Sequence, residues 1–213
     1  MFVLGIETSG IICGVSWIND GQIFLEYRIE RPNIHTQLLA DLVKKGFEQL
    51  GRMPHDIDLI CVASGPGSFT GLRIGMAYAK GMAYALDKPI IAVSNFEVLA
   101  QHTPRNKFPI YSVIDARREN YFLGVFNKDK YYMDETVFCS TGELTRYLSK
   151  KGTIVTTIYN FDDTIGPECD VIITSYSATT VAITGETKYK SGQDNTDIDQ
   201  LEPMYLRKFA GAS

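Results

Sequence analysis

Histidine is scarce in this chain: three in 213 residues, at positions 35, 55 and 102. They form no HExxH or HxxxH pattern, which excludes the usual zinc site on a helix. The four cysteines (Cys13, Cys61, Cys139 and Cys169) contain no CxxC pair, and the first three fall in strand-like runs. They read as reduced thiols packed as small hydrophobes rather than as a metal or redox centre. No apolar run approaches the roughly 20 residues of a membrane span. The opening "MFVLGIETS" lacks a basic n-region and is short of apolar residues for a signal peptide, so the expected compartment is the cytoplasm. Positive charge is also in deficit, with 21 Lys and Arg against 25 Asp and Glu and a net charge of −4. Such a chain gains little from counterion release, so RNA is expected to be met through a partner.

What is present is alternation of strand-like and helix-like runs. Residues 2–9, 13–19 and 22–30 are β-prone, the last two separated by the hairpin signal Asn19-Asp20-Gly21. In "NIHTQLLADLVKKGFEQLG", Leu38, Leu39, Leu42, Val43, Phe47 and Leu50 recur at helical spacing until Gly51. "DIDLICVAS" is a buried strand, "KPIIAVS" another, and 96–101 a short helix. The segment "HTPRNKFP", residues 102–109, is the most linker-like. After it the pattern restarts. "IYSVIDA", "NYFLGVFN" and "KYYMDETVFCS" are strands, "TGELTRYLSKK" a helix capped by Thr141, and "TIVTTIYN" a strand. A strand at 171–174, a helix from Ser177 and a polar loop at 190–199 complete the tail. The order βββαβ thus occurs twice. It predicts an α/β protein of two lobes, 1–101 and 102–213, with the actin-like, Hsp70-like, sugar-kinase-like fold built on ribonuclease-H-like halves.

Between strand and helix lies "ASGPGSFTGLRIGMAYAKGMAYAL", residues 63–86. The loop fails the known phosphate fingerprints. Thr70 stands where a P-loop needs its second glycine, and Gly65, Gly67 and Gly71 are spaced one residue too long for GxGxxG. GxSxG fails too, with Pro66 and Thr70 flanking Ser68. Two readings remain: an anion cradle of backbone N–H groups, or a tight turn in which Ser68 or Thr70 caps the helix. Within the helix, Gly71, Gly75, Ala79 and Ala83 form one row. The interior glycines Gly75 and Gly81 each cost roughly 0.5–1 kcal/mol relative to Ala. Close approach of another backbone offsets such a cost, and that backbone belongs either to the chain's own sheet or to a partner helix. Met76 and Met82 suit the second.

These stretches, with "LGIETS", "HTQLLADLVKKGF", "VIDARRENYFLGVF" and "LEPMYLRK", resemble the TsaB (YeaZ) family of the bacterial tRNA threonylcarbamoyladenosine (t6A) machinery. The likeness covers most of the first 126 residues and the tail motif, and little of 140–200. It implies the two-lobed actin-like fold and a required but non-catalytic subunit. In that family's system TsaD transfers threonylcarbamoyl to the adenosine beside the anticodon, TsaB pairs with TsaD, and the ATPase TsaE joins them. The resemblance implies a homodimer when TsaD is absent and contact with tRNA only through the complex. It implies no intrinsic cofactor and leaves open ATP or ADP at the TsaD interface.

TsaD's metal-binding His-x-x-x-His falls here on Asn95 and Leu99. Leucine ligates no metal, so neither a catalytic residue nor a metal site is expected. The partner surface implied by the family is the helix pair 35–50 and 71–86. On it we place Leu38, Leu39, Leu42, Leu72, Arg73, Gly75, Met76, Ala79, Lys80, Met82 and Ala83. Core packing is the competing reading for Leu39 and Leu42. Glu7, where the family has Asp, and Asp115 each end a lobe's first strand. As a pair they are either solvated strand ends or a vestigial phosphate and magnesium site. The alternative function is therefore an actin-like ATPase or phosphotransferase using Glu7 and Asp115. The superfamily's old glycoprotease label lacks a metal pair or an activated nucleophile here.

Overall fold

A computed structural model describes residues 1–104, 108–127, 135–148, 151–161, 169–193 and 197–206. The chain divides into two compact units, Met1–Asn95 with Tyr176–Pro203, and Phe96–Ser175 with the tail from Met204. This corrects the expected boundary. The helix beginning after Ser177 belongs to the first unit, because its small residues meet that unit's sheet.

The first unit opens with β1 (Phe2–Glu7), β2 (Ile12–Asn19) and β3 (Gln22–Glu30), an antiparallel meander. The Asn-Asp-Gly signal holds: Asp20 and Gly21 both take positive φ, as the tight hairpin demands. Helix α1 (His35–Leu50) follows and ends where Gly51 turns left-handed. Then come β4 (Leu59–Gly65), α2 (Phe69–Leu86) and β5 (Ile90–Ser94); the short α3 (Asn95–Ala100) belongs from Phe96 onward to the second unit. Strands β4 and β5 run parallel to β1, giving the sheet order β3-β2-β1-β4-β5.

Period-two alternation sends neighbouring residues to opposite faces of this sheet. Leu4, Ile6, Ile60 and Val62 join Leu39, Leu42, Phe47, Met76 and Ala83 in one core beneath α1 and α2. Gly5 faces the other way, where a Cβ would collide with the Ala178 carbonyl of α5 (Ala178–Lys190). Ser177 caps α5 by accepting from the Thr180 N–H at 3.3 Å. The unit is therefore a sheet sandwiched between two helices and one.

The second unit repeats the plan. Strands β6 (Ile110–Asp115), β7 (Asn120–Phe126) and β8 (Glu135–Ser140) form a meander, α4 (Thr141–Tyr147) crosses over, and β9 (Thr153–Thr156) and β10 (Asp170–Ile173) pair in parallel. The order β8-β7-β6-β9-β10 matches the first sheet strand for strand. Its core gathers Tyr111, Val113, Leu123, Cys139, Leu144, Ile154 and Phe161. The α/β duplication read from element order is therefore the architecture.

Some boundaries shift. The cap of α4 is Ser140, one residue before the expected Thr141, because Ser140 and Glu143 close a reciprocal capping box. Strand β9 stops at Thr156 rather than running to Asn160, since the Thr156 hydroxyl accepts the Ile158 N–H and bends the chain. The opening residues of the expected strand from Lys130, parts of the 102–109 linker and the polar 190–199 loop, and the end of "LEPMYLRK" lie outside the described residues.

Candidate functional site

Helix α2 has only two charged residues in eighteen, Arg73 and Lys80, so it is apolar around most of its circumference. One face meets the sheet. Gly71 and Gly75 lie against Thr8: a Cβ on Gly71 would strike the Thr8 carbonyl oxygen, and one on Gly75 the Thr8 hydroxyl. That hydroxyl donates to the Gly71 carbonyl at 2.8 Å, tying β1 to the helix. The close approach inferred from the glycine row is therefore real, but the neighbouring backbone is the chain's own. Leu39, Leu42, Leu72, Gly75, Met76, Ala79 and Ala83 are all buried within this unit. Their assignment to a partner surface is corrected, because side chains closed into the monomer core have no area left to offer.

The remaining expected residues sit elsewhere. Leu38 and Met82 are half-buried and pack on the core's rim. Arg73 is exposed, with its guanidinium 3.7 Å over the Phe69 ring. Lys80 is half-buried and donates to the carbonyls of Asp199 and Leu201 at 3.4 and 3.1 Å. It pins the unit's last segment rather than flanking a partner.

Of the residues expected on the partner surface, Met82 also lines the outer face of the same helix pair, and the rest of that face was missed. Between α1 and α2 runs a groove of about 650 Å³, lined among others by Ala40, Val43, Phe47, Tyr78, Met82 and Ala85. Ala40 and Ala85 are exposed, and Tyr84 beside them is 81% exposed. Burial raises the Tyr78 phenol's pKa above its ordinary value. Gly81, on the open side, has nothing within 4 Å of a would-be Cβ. The signal existed: Tyr78, Met82 and Ala85 form a second apolar stripe on a helix that already has one.

At the C-terminal ends of β1, β4 and β5 lies a polar cluster. Glu7 is fully buried and accepts from the Ser9 N–H at 2.6 Å and the Ser9 hydroxyl at 2.5 Å, both on Oε1. Its Oε2 has no hydrogen-bond partner among the described residues. Burial pushes the carboxyl up to about 7, against the lowering effect of the two Ser9 bonds. Asn95 donates to the Ser9 hydroxyl at 2.6 Å and the Pro66 carbonyl at 2.9 Å. The Ser68 N–H donates to the Ser9 carbonyl at 2.6 Å, and Ser68 caps α2 through the Gly71 N–H at 3.3 Å. The Gly loop is thus a capped turn closed on β1.

Solvation of Glu7 is accordingly corrected: the side chain is sealed. Asp115 is exposed at the end of β6 and accepts the Arg117 N–H at 2.8 Å. Glu7 and Asp115 belong to different units. Asn95 is committed to Ser9 and Pro66, and Leu99 is fully buried. Among the described residues, no three His, Cys, Asp or Glu gather as metal ligands, and no helix is long and apolar enough to cross a membrane.

Duplicated units with a 3-2-1-4-5 strand order place the chain among two-lobed α/β proteins of the actin-like and sugar-kinase-like kind. Two solved structures share the fold. "An uncharacterized protein with similarity to peptidase YEAZ from Pseudomonas aeruginosa" superimposes with a TM-score of 0.82, covering 97% of this chain and 99% of that one at 23% identity. "YeaZ from Pseudomonas aeruginosa" gives 0.80, covering 96% and 99% at 22%. The family model described as "TsaD: tRNA N6-adenosine threonylcarbamoyltransferase" matches residues 32–190. The chain belongs to this family, on its TsaB (YeaZ) side. The Bacillus subtilis tRNA threonylcarbamoyladenosine biosynthesis protein TsaB is 32% identical over 137 residues, 64% of this chain and 60% of that protein. The Escherichia coli TsaB is 32% identical over 132 residues, 61% and 57%. A Thermus thermophilus tRNA N6-adenosine threonylcarbamoyltransferase is 33% identical over 112 residues, 46% and 35%. The chain thus spans under two thirds of the length of the curated relatives it matches.

Proposed function

We propose that this chain is a non-catalytic scaffold subunit of bacterial t6A synthesis in the cytoplasm. It binds and stabilises TsaD, which transfers threonylcarbamoyl to the adenosine beside the anticodon. The observation that carries the reading is the open apolar groove between α1 and α2. An exposed furrow of this size on a fully packed core is a docking feature rather than a folding one. The names of the matched relatives supply the pathway. The sealed strand-end cluster supports a subunit without its own chemistry: the family's metal positions hold an amide tied to Ser9 and a buried leucine. TsaE joins through the TsaB–TsaD pair, and without TsaD the same groove accommodates a second copy. ATP or ADP at the TsaD junction belongs to this proposal as a ligand of the pair.

Co-expression with TsaD of the same organism tests it. A co-eluting heterodimer is expected on size-exclusion chromatography, with tRNA modification that stops when this chain is omitted. TsaD that modifies tRNA equally well alone would overturn the scaffold role. The ATPase or phosphotransferase reading needs Glu7 to reach a magnesium nucleotide. The burial of Glu7 and its closure on Ser9 disfavour it, and calorimetric ATP binding by the isolated chain would revive it.

A further inference from the structure

The turn joining β6 to β7 is built at unusual cost. Arg117, Arg118 and Glu119 take φ of 68°, 56° and 59°, three successive non-glycine residues in the left-handed region. The rest of the turn holds them there. Asp115 accepts the Arg117 N–H at 2.8 Å, and the Asn120 amide donates to the Arg117 and Arg118 carbonyls at 3.3 and 2.7 Å. Thr141 donates its N–H and hydroxyl to the Glu119 carbonyl at 3.0 and 3.1 Å. Every carbonyl from Arg117 to Glu119 is therefore satisfied. The N–H groups of Arg118 and Glu119 donate no hydrogen bond among the described residues. Both arginines are exposed, and neither forms an ion pair with a described residue.

We infer that this turn is a phosphate-binding site for the RNA backbone, with Arg117 and Arg118 each meeting one phosphodiester. Free backbone N–H groups in a turn offer donors to an anion, and guanidinium is the side chain best matched to phosphate oxygens. The carboxylates nearby are Asp115, engaged by the Arg117 N–H, and Glu119, which is exposed. In a chain of net charge −4, two such contacts position an RNA rather than drive its binding. The inference rests on the proposed t6A reading, since RNA reaches this turn within the complex with TsaD.

The test measures tRNA affinity of the assembled complex from 50 to 200 mM salt. It compares the wild-type chain with Arg117→Asn/Arg118→Asn and Arg117→Lys/Arg118→Lys. Asparagine tolerates left-handed backbone, so the turn survives while both charges are lost. Two phosphate contacts predict that the asparagine variant's log–log salt slope is shallower by about 1.4–1.8. Over this fourfold salt range the wild type then loses about tenfold more affinity than the variant. The lysine variant keeps the wild-type slope. An intact complex whose slope ignores the asparagine pair overturns the inference. So does loss of TsaD binding by that pair, which would assign the arginines to an acidic protein surface. If the wild-type chain and TsaD form no RNA-binding complex, the functional reading fails and the turn's assignment fails with it.

Discussion

Replacing Glu7 with glutamine should make the first unit more stable above neutral pH and leave it nearly unchanged in acid. Burial raises the Glu7 carboxyl from its ordinary 4.5 to about 7, because the ionised form loses its water and regains only the two Ser9 bonds. A raised folded-state value means the native state holds the proton more tightly than the unfolded chain does. The associated stability is complete below 4.5, declines as pH rises, and is gone above about 7. The gap corresponds to about 3 kcal/mol. Glutamine keeps the acceptor that Ser9 uses and cannot ionise, so the variant escapes that loss. The nearby Cys13 thiol on β2, pushed up to about 11 by burial and by the Glu7 charge, stays neutral throughout. The assay is urea unfolding followed by Trp17, the only tryptophan, which is fully buried in this unit. Subtracting the two proteins' stabilities at each pH cancels the other titrating groups. A difference that grows by about 3 kcal/mol between pH 4.5 and 8 is expected. A difference flat across that range would refute the account of Glu7 as a sealed carboxyl.

Other substitutions separate the two faces of α2. Gly71→Ala drives a methyl into the Thr8 carbonyl and should cost about 1–3 kcal/mol in the same urea assay, despite alanine's better helix propensity. Gly81→Ala, in open space, should instead add about 0.5–1 kcal/mol, and destabilisation there would show an unseen contact. Ser9→Ala removes the side-chain bond that lowers the Glu7 value, so the midpoint of the pH–stability curve should move upward; a downward move contradicts the assigned hydrogen bonds.

Element type and order were legible because they rest on local signals: the Asn-Asp-Gly turn, the 3.6-residue stripe of α1, the Gly51 stop and the repeated βββαβ. The destination of α5 was not. Its small residues pack against Gly5 from far along the chain, a contact no local pattern records. The same limit governed the site. The glycine row correctly signalled close packing against α2, yet sequence spacing does not say whose backbone lies there. Thr8 answers that for Gly71 and Gly75, and the groove runs along the flank of the same helix, where Tyr78, Met82 and Ala85 line it. Glu7 was visible as a strand-end acid, but its burial depends on Ser9, Asn95 and the Pro66 loop arriving together.

The central claim is that the α1–α2 groove receives TsaD. Its most direct test is the affinity of the Ala40→Arg/Ala85→Arg variant for TsaD, measured by calorimetry after Trp17 emission confirms an intact first unit. Both alanines are exposed groove-lining residues, so the monomer core is untouched while two charges enter an apolar furrow. The account predicts at least about a hundredfold loss of affinity, roughly 3 kcal/mol. Wild-type affinity in the folded variant would contradict it.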